Sequence, residues 1–272
     1  MEMAPALTRI MFCGNCGLRF FDRGLSADEA ERYYRGYRGD EYCAARNRYE
    51  PFYTARIHCE IAAWLGSPQR RQALADVLGR SGGIADFRSI LDFGGGDGTL
   101  IADLDAAERA VLDPSETPPV AGVVRISDEA SAGRQWDLIV CAQVLEHVTD
   151  PRQTIASLGR LLAPRGRLYL EVPDETWDNR TFAGALRNSW LAWLLAHPTL
   201  LVAGDFISTA CRIKLGTLPP FGFIPMREHL QYFTEAALRA MVRACGLDVV
   251  ESGRNTVGQI YAVAARPPPA MT

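Results

Sequence analysis

The sequence predicts an α/β fold: a doubly wound, mostly parallel seven-stranded sheet with helices on both faces. Three observations lead there. From Arg88 onward, short apolar runs alternate with helix-length stretches. A glycine-rich turn, Gly94-Gly95-Gly96-Asp97-Gly98, follows the first of these runs. The composition is that of a globular chain, with 272 residues of which 48% are hydrophobic, 22% charged and 9% aromatic. That balance excludes a disordered chain, a collagen, a coiled coil and a small disulfide-stapled module.

The elements follow in order. Residues 1–24 read as a short loop or hairpin around Cys13-Gly14-Asn15-Cys16-Gly17, and residues 25–85 as helices. Ser26-Ala27-Asp28-Glu29 has a capping-box pattern. Ser67-Pro68 opens another helix, with proline where its missing N–H costs nothing. Residues 86–172 and 228–267 form the expected core. Its strands are predicted at 89–93, 110–113, 120–126, 136–141, 167–172, 247–251 and 259–265, and its helices at 99–108, 151–162 and 234–245. Residues 173–227 are too long for a simple connection. Trp190, Trp193, Leu194 and Leu195 make an apolar stripe there, and Phe221 and Phe223 lie beside a Pro-Pro-Phe-Gly turn. This stretch is expected to be a helical lid that also covers an acceptor pocket; core packing or a homodimer interface is a second reading, and docking at a membrane surface to reach a lipid-linked sugar is a third.

Net charge is −3, so no global basic field exists to hold a nucleic-acid backbone. Of the 29 basic residues all are arginine except Lys214. No secretory pattern opens the chain, and no clean apolar run reaches the roughly 18 residues of a membrane span. The 7 cysteines are scattered apart from Cys13 and Cys16, which fits reduced thiols and a cytoplasmic setting.

The glycine turn admits two ligand classes. A dinucleotide fingerprint needs G-x-G-x-x-G/A, but its sixth position falls on Thr99 or Ile101. The spacing present is acid-x-G-x-G-x-G: Asp92, Gly94, Gly96, Gly98. It resembles motif I of the class I S-adenosylmethionine methyltransferases. The resemblance implies S-adenosyl-L-methionine as cofactor, Asp113 as ribose ligand and Gln143 near the reacting methyl. It also places Asp128 near the adenine amino group; a helix N-cap is the alternative for that residue. The run Gln143-Val144-Leu145-Glu146-His147 is similar to the metal-binding E-x-x-E-H run of ubiquinone-type O-methyltransferases. Gln143 replaces the first acid, so Glu146 and His147 are read as local hydrogen-bonding groups and no metal is expected.

Two further stretches bear on the acceptor. Phe12-Cys13-Gly14-Asn15-Cys16-Gly17-Leu18-Arg19-Phe20, with Tyr33-Tyr34-Arg35-Gly36-Tyr37, is the first. Glu228-His229-Leu230-Gln231-Tyr232-Phe233-Thr234 is the second. Together they resemble nucleotide-sugar C-methyltransferases and related enzymes of sugar and polysaccharide pathways. Those carry two C-x-x-C pairs in a zinc module, and their E-H pair supplies the proposed base. One pair is present here. Zinc needs four ligands, and Cys43, His58 and Cys59 have no recognised spacing, so a metal-free remnant is expected.

The expected function is methyl transfer to a small-molecule acceptor, led by a sugar: free, nucleotide-linked or polymer-linked. A phenolic or quinone-like acceptor and a non-catalytic cofactor-binding partner protein are the alternatives. His229 is the expected base, because it lies between the insertion and the helix from Thr234, and imidazole titrates near neutral pH. Glu228 would hold it or bind a sugar hydroxyl. Tyr37 and Tyr42 are the next candidates.

Overall fold

The computed structural model describes residues 8–34, 36–37, 39–49, 53–81, 87–115, 117–127, 133–177, 190, 193–194, 196–219, 222–224 and 228–268. Two short strands, β1 (Ile10–Phe12) and β2 (Arg19–Phe21), precede the helices α1 (Ala27–Tyr34), α2 (Asp40–Tyr49), α3 (Ala55–Leu65) and α4 (Pro68–Arg80). Then come β3 (Ser89–Phe93), β4 (Glu108–Leu112), β5 (Val124–Arg125), β6 (Trp136–Ala142), α5 (Pro151–Arg160) and β7 (Leu162–Val172). The chain closes with α6 (Pro198–Leu215), β8 (Gln231–Tyr232), α7 (Glu235–Ala244), β9 (Asp248–Arg254) and β10 (Ile260–Ala265).

Seven of these strands form one sheet in the order β5-β4-β3-β6-β7-β10-β9. Pairing is parallel from β5 to β7, and β10 runs antiparallel to both of its neighbours. Alternation along each strand sets the two layers. Trp136, Ile139 and Cys141 of β6 face one core with Ile155 and Leu158 of α5 and Leu238 and Val242 of α7. Leu138 and Val140 face the other, with Leu74, Val77 and Leu78 of α4. The doubly wound sheet is therefore the predicted one. The chain leaves β3 outward to β4 and β5, then returns to β6. Between β3 and β6 lies the switch point where α/β sheets open a ligand crevice.

Local signals hold where the chain is long enough to obey them. Ser26 and Glu29 form the capping box, each side chain accepting from the other's N–H at 3.2 and 2.8 Å. Ser67 caps α4, and Asp150 caps α5. Two predicted elements shrink. The helix expected over 99–108 is a single 3₁₀ turn, Thr99–Ile101. Arg109 takes the Leu104 and Ala106 carbonyls at 2.8 and 3.3 Å, so the chain turns back into β4 instead of winding on. The strand expected over 120–126 is cut to Val124–Arg125, because Gly122 turns the chain at φ 79°.

The N-terminal segment is not a separate module. β1, β2 and β8 make a small antiparallel sheet, with Phe20 opposite Gln231 and Arg19 opposite Tyr232. The Thr234 hydroxyl, which caps α7, also donates to the Cys16 carbonyl at 2.6 Å. The hairpin thus pins the segment that carries His229. Within 173–227, α6 starts at Pro198 and ends on Gly216 at φ 63°. Leu194 is buried and Trp193 exposed, while Leu195 and Phe221 lie outside the described residues. No described helix is long and apolar enough to cross a membrane.

A buried ion pair joins the helical region to the sheet. Arg70, in the first turn of α4, donates to Glu171 of β7 at 2.5 Å, and both side chains are 3% exposed. Removing one member of such a pair leaves the other charge stranded. Arg70→Ala should lower the unfolding free energy by about 3–5 kcal/mol in urea titrations. A loss below about 1 kcal/mol would show that α4 does not depend on this pair.

Candidate active site

The carboxyl end of β3 carries the glycine loop. Gly94, Gly96 and Gly98 stand at φ 71°, 63° and 77°. Gly94 N–H donates to the Leu112 carbonyl at 2.8 Å, tying the loop to the end of β4. A Cβ at Gly95 would lie 2.1 Å from the Asp92 carboxylate, so that position has no room for a side chain. A Cβ at Gly96 would meet nothing within 4 Å, so the space above that residue is open.

Asp113 lies just past β4. Its two carboxylate oxygens accept from Gly96 N–H at 2.9 Å and Ser115 N–H at 2.8 Å. Arg125, which no motif singled out, binds the carbonyls of Asp113 at 2.8 Å, Gly96 at 2.9 Å and Thr117 at 2.5 Å. It clamps the loop by its backbone oxygens, a role that spacing does not reveal. Asp92 is buried, and neither carboxylate oxygen has a partner among the described residues. Burial pushes its pKa up to about 7. An orphaned buried carboxylate beside an open glycine cradle fits a ligand with a cationic group and hydroxyls, as the expected cofactor has. Asp128 lies outside the described residues.

Gln143 follows β6 at φ 60°, the one non-glycine residue at positive φ among those described. Its N–H donates to the Glu171 carbonyl at 2.8 Å. Its amide nitrogen reaches Glu171 Oε1 at 3.3 Å and Gln259 Oε1 at 3.2 Å. A left-handed backbone at an ordinary residue persists where its surroundings over-determine it.

Beyond Gln143 a cavity of about 390 Å³ opens between the N-terminal helices and the chain after β7. Rings line much of it: Tyr37, Tyr42, Tyr53, Trp64 and Tyr232. Tyr37 packs edge-on to Tyr34 and Tyr42, with centroids 5.2 and 5.0 Å away. The expected lid contributes Thr209, Arg212, Ile213 and Ile224 to the wall.

His229 and Glu228 both reach this cavity, but not as a pair. Glu228 accepts from Tyr33 at 2.9 Å and pairs with Arg46 at 2.8 Å, so it braces α1 and α2. The acid that holds His229 is Glu175, at 2.6 Å from Nδ1, and Arg212 holds Glu175 at 3.0 Å. Residue 175 lies 54 positions upstream of His229, and no local pattern links them. Burial opposes the imidazolium, but the Glu175 hydrogen bond and charge prevail and raise His229 to about 9. Burial likewise raises Glu175, but His229 and Arg212 outweigh it and lower the carboxyl to about 2. His229 is therefore protonated at neutral pH, where the sequence suggested a proton acceptor. The Tyr34 phenol, raised by burial first and by Tyr37 and Glu228 next, is no better acceptor.

His147 Nδ1 lies 3.0 Å from the Glu228 carbonyl, and its ring is 4.9 Å from that of His229. Ligand atoms of Glu146, His147 and His229 fall within 4.8 Å of one another, the tightest gathering of such groups among the described residues. Cys43, His58 and Cys59 are not gathered around Cys13 and Cys16. His58 instead meets the Tyr53 hydroxyl at 2.7 Å.

A family model described as a methyltransferase domain matches residues 67–252. Ubiquinone biosynthesis O-methyltransferase from Aromatoleum aromaticum is 27% identical over 125 residues, covering 40% of this chain and 53% of that enzyme. Its namesake from Salmonella paratyphi A is 25% identical over 184 residues, covering 61% of this chain and 67% of that enzyme. The chain thus spans about half to two thirds of the length of these curated relatives. Among solved structures, the DhpI–SAH complex is 18% identical, with a TM-score of 0.47, and the match covers 90% of this chain and 100% of that one.

The loop geometry makes a direct prediction for cofactor affinity. Gly96→Val would force a branched residue to φ 63° and fill the open cradle. Asp113→Ala would remove the acceptor of two loop N–H groups and the expected ribose ligand. The second change should weaken S-adenosylmethionine binding by about 1.5–3 kcal/mol in isothermal titration. Parent-like affinity in both variants would place the cofactor elsewhere.

Proposed function

This chain belongs to the methyltransferase-domain family, and on that footing we propose that it is an O-methyltransferase acting on a hydroxyl of a ring-shaped small molecule. One observation carries the reading. The open glycine cradle follows β3, and Gln143, which lines the ring-lined cavity, follows β6, the parallel neighbour of β3, so both stand at the carboxyl edge of one sheet. Asp92, Gly96 and Asp113 would hold S-adenosylmethionine. When bound, the cofactor supplies an electrophilic methyl group on sulfonium sulfur.

The protein's own residues do the rest. The tyrosines and Trp64 offer flat apolar walls to an acceptor ring. Glu175 fixes the His229 ring through Nδ1, which leaves Nε2–H as the end that can donate to the acceptor's oxygen. Positioning of this kind turns a bimolecular step into an effectively unimolecular one. The O-methyltransferase relatives support a phenolic or quinone-like acceptor over a sugar. The paired state of Glu228 does too, since its oxygens already serve Tyr33 and Arg46.

A methyl-transfer screen over catechols, hydroxylated benzoquinols and nucleotide sugars tests the reading. Methylation of the phenols is the expected result; methylation confined to the nucleotide sugars would return the sugar reading. His229→Ala should keep cofactor affinity within about threefold and lower turnover by about 10²-fold or more, as for other lost proton-handling groups. An equal loss of cofactor binding would make His229 a structural residue.

A further inference from the structure

One acidic side chain at the cavity has no structural employment. Glu146 is fully buried, and neither of its carboxylate oxygens has a hydrogen-bond partner among the described residues. Its main chain, by contrast, is fixed: the carbonyl accepts from Leu230 N–H at 2.7 Å and Gln231 N–H at 3.1 Å. β8 therefore sets where the residue stands, and Glu146 is one of the residues that line the cavity, with Gln143, His147 and His229. His147 Nε2 stands at 3.7 Å, outside hydrogen-bond range.

The other glutamates at this end are all spoken for. Glu171 accepts from Arg70, Tyr169 and Asn255. Glu175 accepts from His229 and Arg212, and Glu228 from Tyr33 and Arg46. A buried carboxylate without donors costs stability, and a folded chain that keeps one at a cavity wall has a use for its lone pairs. Resting on the reading of this cavity as a hydroxyl-methylating site, we infer that Glu146 is the catalytic base that takes the proton of the acceptor hydroxyl.

The step balances. The acceptor's O–H bond breaks and its proton moves to a Glu146 oxygen. The freed oxygen pair forms the bond to the methyl carbon, and the pair of the broken carbon–sulfur bond stays on sulfur. The proton leaves Glu146 for solvent when product departs. The charges around Glu146 suit the task. His147 faces it from its own loop, His229 and Glu228 from the segment before β8, and Glu175 from the segment after β7. Glu171 of β7, Cys141 of β6 and Tyr34 of α1 also feel its charge. Burial raises the carboxyl and the His229 imidazolium pulls it back, leaving it at about 7, where a base works best at neutral pH. His229, raised to about 9, already holds its own proton. Environments that push two neighbouring groups apart assign the acid and the base.

Glu146→Gln keeps the size and removes the proton acceptor. It should bind S-adenosylmethionine like the parent, since the Glu146 carboxylate makes no hydrogen bond to the glycine loop or to Asp113 among the described residues. With catechol as probe, kcat/KM should fall by about 10²–10⁴-fold. With 4-nitrocatechol, whose hydroxyl ionises by itself at the assay pH, the loss should shrink to under about tenfold, because no base is then required. Stability gives a readout independent of turnover. The stability contributed by a carboxyl raised in the folded state is fully present below its ordinary value and is lost as pH climbs through about 7. The Tm of Glu146→Gln should therefore match the parent at about pH 4 and exceed it at about pH 8.

Parent-like turnover of catechol by the variant would overturn the base assignment alone. Equal losses on both phenols would overturn it in favour of a positioning role. Parent activity that EDTA abolishes and Mg²⁺ restores, with no Mg²⁺ response in the variant, would make Glu146 a cation ligand instead. A Tm difference that does not change with pH would contradict an unpaired carboxylate. A parent inert on every phenol would overturn the O-methylation reading, and the base with it.

Discussion

The Glu171 carboxylate is the point on which the site depends. It sits on β7, 2% exposed, and its oxygens gather donors from four parts of the chain. Arg70 brings α4, Asn255 brings the turn between β9 and β10, Tyr169 comes from β7 itself, and Gln143 comes from the end of β6. A buried charge is tolerable when its lone pairs are filled, and these are. Because the same group binds both the helical region and Gln143, the left-handed turn at Gln143 cannot relax without breaking the network. The turn between the glycine loop's neighbour strand β6 and the ring-lined cavity is thus held by a single saturated anion.

Against that saturated group stand two buried carboxylates whose oxygens have no hydrogen-bond partner among the described residues, Asp92 and Glu146. Each is pushed to about 7, first of all by burial. Asp92 lies in β3 under the glycine loop, and Glu146 lies in the loop after the adjacent strand β6, at the ring-lined cavity. Polar groups left unsatisfied in an interior are destabilising, and close packing around them prevents escape to water. The chain spends stability at two places where a ligand would restore it. The scaffold that tolerates this is the pair of dense cores on either face of the sheet, where β6 and β10 are buried along almost their whole length.

How much of this was legible in the sequence follows from how local each feature is. The β3–loop unit is contiguous, so Asp92, Gly94, Gly96 and Gly98 could be read as one device. The capping box at Ser26 and the proline-led start of α4 are likewise local, and both formed. The predicted helix over 99–108 is not formed where a nearby side chain, Arg109, takes the Leu104 and Ala106 carbonyls that a longer helix would have used. The acceptor side was half legible. His229 is nominated by its place between the insertion and α7, and the side chain that holds it is Glu175, from a different segment, where adjacency offers Glu228. Arg125 and Glu171 were missed because an arginine near a strand end and an acid within a strand are unremarkable until folding shows what they touch.

The N-terminal segment illustrates the same point in reverse. Its cysteine pair reads as a short hairpin and a metal-free remnant, and β2 of that hairpin pairs with β8, whose two residues directly follow Leu230. The N–H groups of Leu230 and Gln231 hold the Glu146 carbonyl, and Glu228 in turn holds Tyr33 of α1 and Arg46 of α2. Sheet pairing, the Cys16–Thr234 hydrogen bond and the Glu228 braces thus converge on a short stretch, residues 228–234. That stretch places His229 and, through β8, Glu146. A short edge hairpin is a poor source of stability by itself. Its contribution here is geometric: it closes two further strands onto the segment that carries His229, while Glu228 of that same segment ties in Tyr33 of α1 and Arg46 of α2.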